Sequence, residues 1–239
     1  MELKNIVWDL EKYEEFKKFL LLEGDEKYRE FHSKLLEVKK EVIGIRTPVL
    51  KEYVKKISKG DWKGYLKYSG DEYYEESVIE GLILGYCSSM YEERIKYLNQ
   101  FIEKIDNWAV CDIAVANLKF LKKERERYYD FIKNCIEADN SWRIRFGVVA
   151  LLDFYLISDY IDNIFEICLR IKNEDYYVKM SQAWLISIMF IKFKEKTLEY
   201  LKSQRLDSWI QNKAIQKIRE SKRGSIEDKD LVLKLKVNE

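Results

Sequence analysis

The sequence predicts an all-α protein, and three observations support this prediction. Apolar residues recur at helical spacing along almost the whole chain. The 239 residues include one proline and nine glycines, although a strand-rich fold needs turn residues roughly every ten positions. Short polar segments with helix-capping side chains, such as Asp106-Asn107 and Asn173-Glu174-Asp175, separate the apolar stretches.

The composition is typical of a globular protein. Hydrophobic residues make up 47% of the chain and charged residues 36%, which argues against disorder. No stretch approaches the roughly 18 apolar residues of a membrane-spanning helix, and the acidic, amphipathic start MELKNIVWDLEKYEEF differs from a signal peptide. We therefore expect a cytoplasmic protein that does not enter a membrane. Its four cysteines are expected to be reduced packing residues: Cys87, Cys111, Cys135 and Cys168.

Local patterns predict the individual helices. Thr47 is expected to cap a helix whose first residue is Pro48, where the missing N–H costs nothing. The buried stripe of that helix is expected to comprise Val49, Leu50, Tyr53, Val54 and Ile57. A preceding helical hairpin is expected to bury Leu20, Phe31, Leu35, Leu36 and Val38. Later helices are predicted near 72–88, 90–104, 107–121, 124–137, 141–156, 159–171, 174–191, 194–203, 207–220 and 226–235.

The predicted helices pair with a regular period. Helix pairs recur about every 35–40 residues, which is the period of HEAT-type repeats. Such pairs cannot bury their own apolar faces and therefore stack side by side. We expect a superhelical solenoid of stacked antiparallel helix pairs, forming one domain over residues 1–239 with a concave face.

Positive charge is concentrated near the end of the chain. The net charge is only +1, but residues 192–223 contain ten basic and four acidic side chains, a local balance of +6. Such a segment favours a polyanionic partner. The candidates for contacts to phosphate groups are Lys213 and Lys217, with Arg205, Arg219 and Lys179 in addition. The alternative is an ordinary solvated charged surface.

Trp108 and Asp112 form the first candidate for a reactive site. They lie four residues apart in DNWAVCDIAVANLKFL and share one face of a predicted helix, with Lys119 two turns further along it. The opposite face is expected to be apolar: Ala109, Ile113, Ala116 and Phe120. In one interpretation the aspartate caps a loop or pairs with an arginine. In the other, the carboxylate lies beside an aromatic platform and stabilises positive charge on a bound sugar.

Arg145 and Trp184 extend this candidate site by their spacing. Arg145 follows Trp108 by 37 residues, and Trp184 follows Arg145 by 39, so both intervals match the repeat period. Trp108, Asp112, Arg145 and Trp184 can therefore converge on one concave wall. Arg143 lies two residues before Arg145 and should point to nearly the opposite side. The alternative is that both tryptophans are core residues.

Other common site types are not found in the sequence. There is no phosphate-binding glycine loop, no dinucleotide fingerprint and no HExxH zinc motif. The single histidine, His32, is expected to be a surface helix residue, which argues against Ser-His or Cys-His nucleophile systems. We expect neither a metal nor a cofactor.

Five segments, in this order, resemble the AlkD-type DNA alkylation repair proteins: GIRTPVLKEY, DNWAVCDIA, WRIRFGVVALL, YYVKMSQAWLIS and WIQNKAIQKIRES. The resemblance extends from about residue 8 to residue 235. It implies a superhelix of HEAT-like repeats that cradles duplex DNA in a basic groove. It also implies hydrolysis of the N-glycosidic bond of N3- or N7-alkylated purines, without a metal and without flipping the base into a pocket.

The resemblance also implies roles for individual residues. Asp112 matches the catalytic aspartate, Trp108 and Trp184 match the two sugar-contacting tryptophans, and Arg145 matches the groove arginine. The implied partner is duplex DNA containing alkylated purines, bound by a monomer. Ala109 and Cys111 depart from the family pattern, which leaves open a protein that binds damaged or branched DNA without excision. A third alternative is a protein–protein scaffold, a common role of helical repeats.

Overall fold

A computed structural model describes residues 2–36 and 39–238, and the fold of this part of the chain is all-α. Within them the backbone forms no strand; Glu41 and Tyr73 form an isolated parallel bridge. The helices are α1 Leu10–Leu22, α2 Glu26–Leu36, α3 Thr47–Ile57, α4 Trp62–Tyr68, α5 Tyr74–Tyr86, α6 Tyr91–Ile102, α7 Trp108–Asn117, α8 Arg125–Ile136, α9 Ser141–Ala150, α10 Ile161–Arg170, α11 Tyr176–Lys192, α12 Lys194–Lys202, α13 Ser208–Glu220 and α14 Ile226–Leu233.

The helices belong to two compact units, Met1–Phe120 and Leu121–Glu239. In the first unit, α5 packs against α3, α6 and α7. In the second unit, α9 packs against α8 and α11, and α11 packs against α12 and α13. The all-α prediction is confirmed, and the side-by-side packing within each unit is that of a helical repeat solenoid. The expectation of one domain over residues 1–239 stays a prediction.

Four side-chain caps fix the starts of α7, α9, α11 and α13. The Oδ1 atom of Asn107 accepts hydrogen bonds from the backbone N–H groups of residues 109 and 110, both at 3.0 Å. Asn140, Asp175 and Asp207 cap the other three helices in the same way. Each such cap contributes about 1 kcal/mol to stability. The polar segments used to predict helix boundaries therefore act as helix starts.

Close backbone approach explains two glycines. A Cβ atom on Gly81 of α5 would lie 2.7 Å from the Cβ of Ala114 on α7, and one on Gly147 of α9 would lie 2.5 Å from the side chain of Ile136 on α8. Atoms this close overlap, so any larger side chain would push the helices apart. Glycine thus permits α7 and α9, which carry candidate site residues, to sit tightly on their neighbours.

The first helices differ from the prediction. Leu20 and Leu36 are buried as expected, but Phe31 is 63% and Leu35 52% exposed on the outer side of α2. The apolar pattern predicted a helix correctly, although it could not show which apolar side chains the neighbouring helices cover. Val38 lies outside the described residues.

The start and the face of α3 also required correction. The helix begins at Thr47, and Arg46 occupies the capping position without a side-chain cap, so the predicted Thr47 cap is wrong. Only the i, i+4 and i+7 positions Leu50, Val54 and Ile57 are buried; Val49 is exposed and Tyr53 is half-buried. A narrower stripe suffices because α3 is covered along one side, by α5 and the N-terminal 3-10 turn.

Three further features complete the fold. The short helix α4 was not predicted, and α9 continues into one π-helical turn, Leu151–Tyr155, before the chain leaves the helix. All four cysteines are buried thiols, as expected. Among residues 2–36 and 39–238, no helix has both the length and the apolar character needed to cross a membrane.

Candidate active site

Trp108 and Asp112 lie together on the partly exposed side of α7. Trp108 is the first residue of the helix and Asp112 follows one turn later, so their side chains lie on one face. Both are partly exposed in a helix whose remaining residues are mostly covered. The buried residues of α7 are Ala109, Val110, Cys111, Ala114, Val115 and Asn117. An aromatic ring and a carboxylate are therefore presented as a pair by the first unit.

The rest of this face differs from the prediction. The helix ends at Asn117, and Lys119 lies in a separate 3-10 turn, Lys119–Lys122, so Lys119 does not continue the face of Asp112. Of the expected apolar face, Ala109 is buried, but Ala116 is exposed and Ile113 is only half-buried. The buried face of α7 is thus centred on Val110 and Ala114, one position away from the predicted face.

The start of α7 is held by more than its cap. Asn107 is 4% exposed, and its amide nitrogen donates a hydrogen bond to the carboxylate of Asp106 at 2.8 Å. The ammonium group of Lys40 lies 3.8 Å from the same carboxylate. Since Trp108 follows Asn107 directly, these contacts position the indole ring.

Arg145 is buried in the second unit and oriented by a hydrogen bond. Its side chain is on α9, is 4% exposed, and donates from Nη1 to the backbone oxygen of Tyr177 on α11 at 2.8 Å. Burial of a guanidinium is tolerated when it is hydrogen-bonded. Arg143 instead directs a nitrogen towards the Sγ of Cys135 on α8, 4.0 Å away. The prediction that these two arginines point to different sides is confirmed.

Trp184 lies on α11, two turns beyond Tyr177. The seven-residue separation places both side chains on one face of the helix, and both are partly exposed. Trp184 is bracketed by buried neighbours, Ala183 and Leu185. Arg145, Tyr177 and Trp184 therefore belong to the adjacent helices α9 and α11. The convergence of these residues with Trp108 and Asp112 stays a prediction.

A row of aromatic rings that the sequence analysis missed links the starts of α9, α11 and α13. The ring centroids of Trp142 and Tyr177 are 5.1 Å apart, those of Tyr176 and Tyr177 5.3 Å, and those of Tyr176 and Trp209 5.9 Å. The sequence carried a signal for this row. Trp142, Tyr177 and Trp209 each lie two residues after the capping residue of their helix.

Two of the five predicted phosphate contacts are already ion-paired. The ammonium group of Lys179 lies 3.1 Å from Glu174 and 3.3 Å from Asp207, and Arg205 lies 3.5 Å from Glu166. Arg205 belongs to segment 192–223, and two further basic residues of this segment also pair with carboxylates outside it: Lys194 with Asp228 and Lys196 with Asp162. The positive charge of the segment is thus weaker than its composition indicated.

Lys213 and Lys217 lie one turn apart on α13 and form the remaining basic cluster. Arg219 is exposed on the same helix, but it follows Lys217 by two residues and so points to a different side. The ammonium group of Lys213 lies 5.4 Å from the ring centroid of Trp209, a favourable cation–π arrangement. Burial lowers the pKa of Lys217, the positive charges of Lys213 and Arg145 lower it further, and Glu220 opposes them.

The stacked helix pairs define a helical repeat protein, and a sequence comparison identifies its family. The model of the DNA alkylation repair enzyme family matches residues 16–218, so the chain belongs to this family. Its role is in the repair of alkylated DNA, as an enzyme that acts on DNA. No curated protein matches the chain significantly. In the described part of the chain, no group of three or more His, Cys, Asp or Glu side chains could hold a metal ion.

Proposed function

We propose that the protein is a DNA glycosylase that hydrolyses the N-glycosidic bond of N3- or N7-alkylated purines in duplex DNA, as a monomer and without a metal. The observation that carries this proposal is the Trp108–Asp112 pair on α7, in a chain of the DNA alkylation repair enzyme family. A repeat protein that only binds DNA has no need of a carboxylate on a surface meant for phosphates.

The leaving purine needs little assistance from the protein. Alkylation at N3 or N7 makes the purine cationic, so it departs without a general acid. As the bond breaks, positive charge develops on the deoxyribose ring, as in other glycoside cleavages. The carboxylate of Asp112 stabilises this charge and orients the attacking water. Trp108 and Trp184 stack against the sugar, where their electron-rich faces favour a developing cation.

Basic residues of the second unit hold the backbone of the damaged strand in this proposal. Arg145 binds a phosphate next to the lesion, and its hydrogen bond to Tyr177 supports this role because the guanidinium is oriented in advance. Lys213, Lys217 and Arg219 contact further phosphates. Lys179 and Arg205 would have to exchange a carboxylate partner for a phosphate, so they contribute less to the affinity for DNA.

The test is release of 7-methylguanine and 3-methyladenine from methylated duplex DNA. We expect Asp112→Asn to lower the rate by about 100-fold or more, because an ionised group that stabilises the transition state is lost. The matched control is Asp130→Asn, since Asp130 is an exposed aspartate on α8; this variant should behave as the wild type. Undiminished release by Asp112→Asn would refute the role of Asp112. Tight, salt-sensitive binding of damaged or branched DNA without any release would favour a non-catalytic binding protein.

A further inference from the structure

The segment that leads into α3 is tied to the start of α5. The carboxylate of Glu75 is 0% exposed and accepts hydrogen bonds from the backbone N–H groups of residues 43, 44 and 45 at 2.9, 2.8 and 3.1 Å. The backbone oxygen of Glu41 also accepts a hydrogen bond from the N–H of Tyr74, at 2.8 Å. Hydrogen bonds to an ionised carboxylate are strong, so this segment is held on α5. Lys40 directly precedes it.

Lys40 lies among acidic and polar groups from two other parts of the first unit. Its ammonium group forms an ion pair with Asp71, donates a hydrogen bond to the Oγ of Ser77 at 2.8 Å, and lies 3.8 Å from a carboxylate oxygen of Asp106. The side chain of Lys40 is 12% exposed, so little water competes with these contacts. A lysine carries three donors around one point charge, which suits three partners. Lys40 thus joins the start of α5 to the residues just before α7.

Asp106 fixes the orientation of the side chain that caps α7. The carboxylate oxygen of Asp106 that does not face Lys40 accepts a hydrogen bond from the amide nitrogen of Asn107 at 2.8 Å. The amide oxygen of Asn107 then points at the N–H groups of residues 109 and 110. If the amide turned over, its oxygen would face the carboxylate and its nitrogen would face two N–H donors. The capping orientation of Asn107 therefore depends on where the carboxylate of Asp106 lies.

We propose that Lys40 is a positioning residue for base release, because it holds the Asp106 carboxylate that orients the cap of α7. This role rests on the proposed function, in which Trp108 and Asp112 of α7 act on the sugar. Lys40 acts through Asp106 and Asn107, and not by contact with DNA. Without the ammonium group, the carboxylate of Asp106 is free to turn towards solvent and the first turn of α7 is held less firmly. A displacement of about 1 Å in a catalytic group can lower a rate about 100-fold.

The experiment compares Lys40→Met with Lys39→Met. Lys39 is the exposed neighbour of Lys40, so its variant removes the same charge from the same segment. For Lys40→Met we expect the single-turnover rate of 7-methylguanine release to fall at least about tenfold, while the Kd for intact duplex changes by less than about twofold. Lys39→Met should match the wild type in both measurements. If Lys40 contacted a DNA phosphate instead, Lys40→Met would raise the Kd and keep the rate, and that result would overturn the proposal.

Two further variants test the route through Asp106. Lys40→Arg keeps the positive charge and should recover most of the lost rate. Asp106→Asn keeps an oxygen that can accept from Asn107 but loses the ion pair with Lys40, so Lys40→Met should lower the rate much less in this background than in the wild type. Urea unfolding establishes conditions in which every variant is folded, and the rates are compared there. Fully additive effects of Lys40→Met and Asp106→Asn would overturn the proposal.

Hydrogen exchange separates failure of this proposal from failure of the glycosylase proposal, because it does not depend on activity. The amide protons of residues 109 and 110 are the ones that Asn107 accepts. Their exchange, followed by NMR, should be at least about threefold faster in Lys40→Met than in the wild type or Lys39→Met. Faster exchange in Lys40→Met, without base release by the wild type, would refute the glycosylase and support the hold of Lys40 on α7. Base release by the wild type, with unchanged exchange and rate in Lys40→Met, would refute the positioning role alone.

Discussion

The buried guanidinium of Arg145 donates a hydrogen bond to the backbone oxygen of Tyr177 and so joins α9 to the start of α11. Few orientations are open to a cation in such a place, because moving it would leave a buried charge uncompensated. The hydrogen bond between α9 and α11 thus fixes the orientation of the planar guanidinium. A lysine at this position could keep the charge, although it lacks the rigid fork of donors.

Arg145→Lys keeps the positive charge but removes the planar set of donors, so this variant tests whether the donor geometry is needed. We expect the kcat/KM of base release to fall at least about tenfold and the free energy of unfolding to fall by about 1–3 kcal/mol. Methylated-DNA release and urea unfolding measure the two effects. Arg143→Lys is the control, since Arg143 points towards Cys135 instead, and its effect on release should be smaller. Wild-type release by Arg145→Lys would show that the fork is not needed.

Asn107 links helix capping to the site. Asn107→Ala removes the oxygen that accepts two backbone N–H bonds at the start of α7, so we expect a loss of about 1 kcal/mol in the free energy of unfolding. Base release should also fall, because Trp108 and Asp112 depend on this helix start. Asn107→Ser keeps a capping oxygen and should recover most of both losses. If Asn107→Ser and Asn107→Ala were equally impaired, capping would not be the cause.

The salt dependence of DNA binding should distinguish ion-paired from available cations. Lys213→Ala should reduce by about one the number of counterions released on binding intact duplex. Arg205→Ala should change that number less, because Arg205 already lies beside the carboxylate of Glu166. Affinity measured at several salt concentrations gives both slopes. Equal changes in slope would mean that the Arg205–Glu166 pair does not persist in solution.

Glu80 on α5 gives the stability of the first unit a dependence on pH. Burial raises the pKa of Glu80, and the Lys104 ammonium group, 2.9 Å away, opposes the shift. The folded state therefore holds this proton more tightly than the unfolded chain. The resulting stabilisation is present below the ordinary value of 4.5 and is lost as pH rises through the folded pKa. Relative to Glu80→Gln, the wild type should thus lose stability from pH 4.5 towards neutral pH.

Glu52 on the surface of α3 provides a control, because its pKa is shifted in the opposite direction to that of Glu80. The hydrogen bond from Lys55 lowers the pKa of Glu52, so the wild type should gain stability relative to Glu52→Gln as pH rises through the acidic range. Urea unfolding at a series of pH values compares both variants with the wild type. A difference between wild type and Glu80→Gln that does not vary with pH would contradict the assignment.

Local signals explain why most helices could be predicted from the sequence. Asn107 and Asp175 cap the helices that their polar segments were expected to start, since capping depends only on the residue and its next three neighbours. The pairing of Trp108 with Asp112 followed equally from helical spacing. Helical spacing also predicted that Arg143 and Arg145 point to different sides of α9.

Features set by distant residues could not be predicted. Lys179 and Arg205 were expected to be available to phosphates, but Glu166 beside Arg205 lies 39 residues away in the sequence. Asp207, one of the two carboxylates beside Lys179, lies 28 residues away. The exposure of Phe31 depends on which helices cover α2. Apolar periodicity indicates that a helix has an apolar side, but it does not show which of the apolar side chains the neighbouring helices cover.

The row of rings from Trp142 through Tyr177 and Tyr176 to Trp209 has a consequence for how this protein can vary. These ring contacts join the starts of α9, α11 and α13. If these rings keep their contacts, the segments that lead into the three helices can gain or lose residues while the helix starts stay beside one another. Related chains can therefore differ more in the lengths of these connections than in the positions of the four rings.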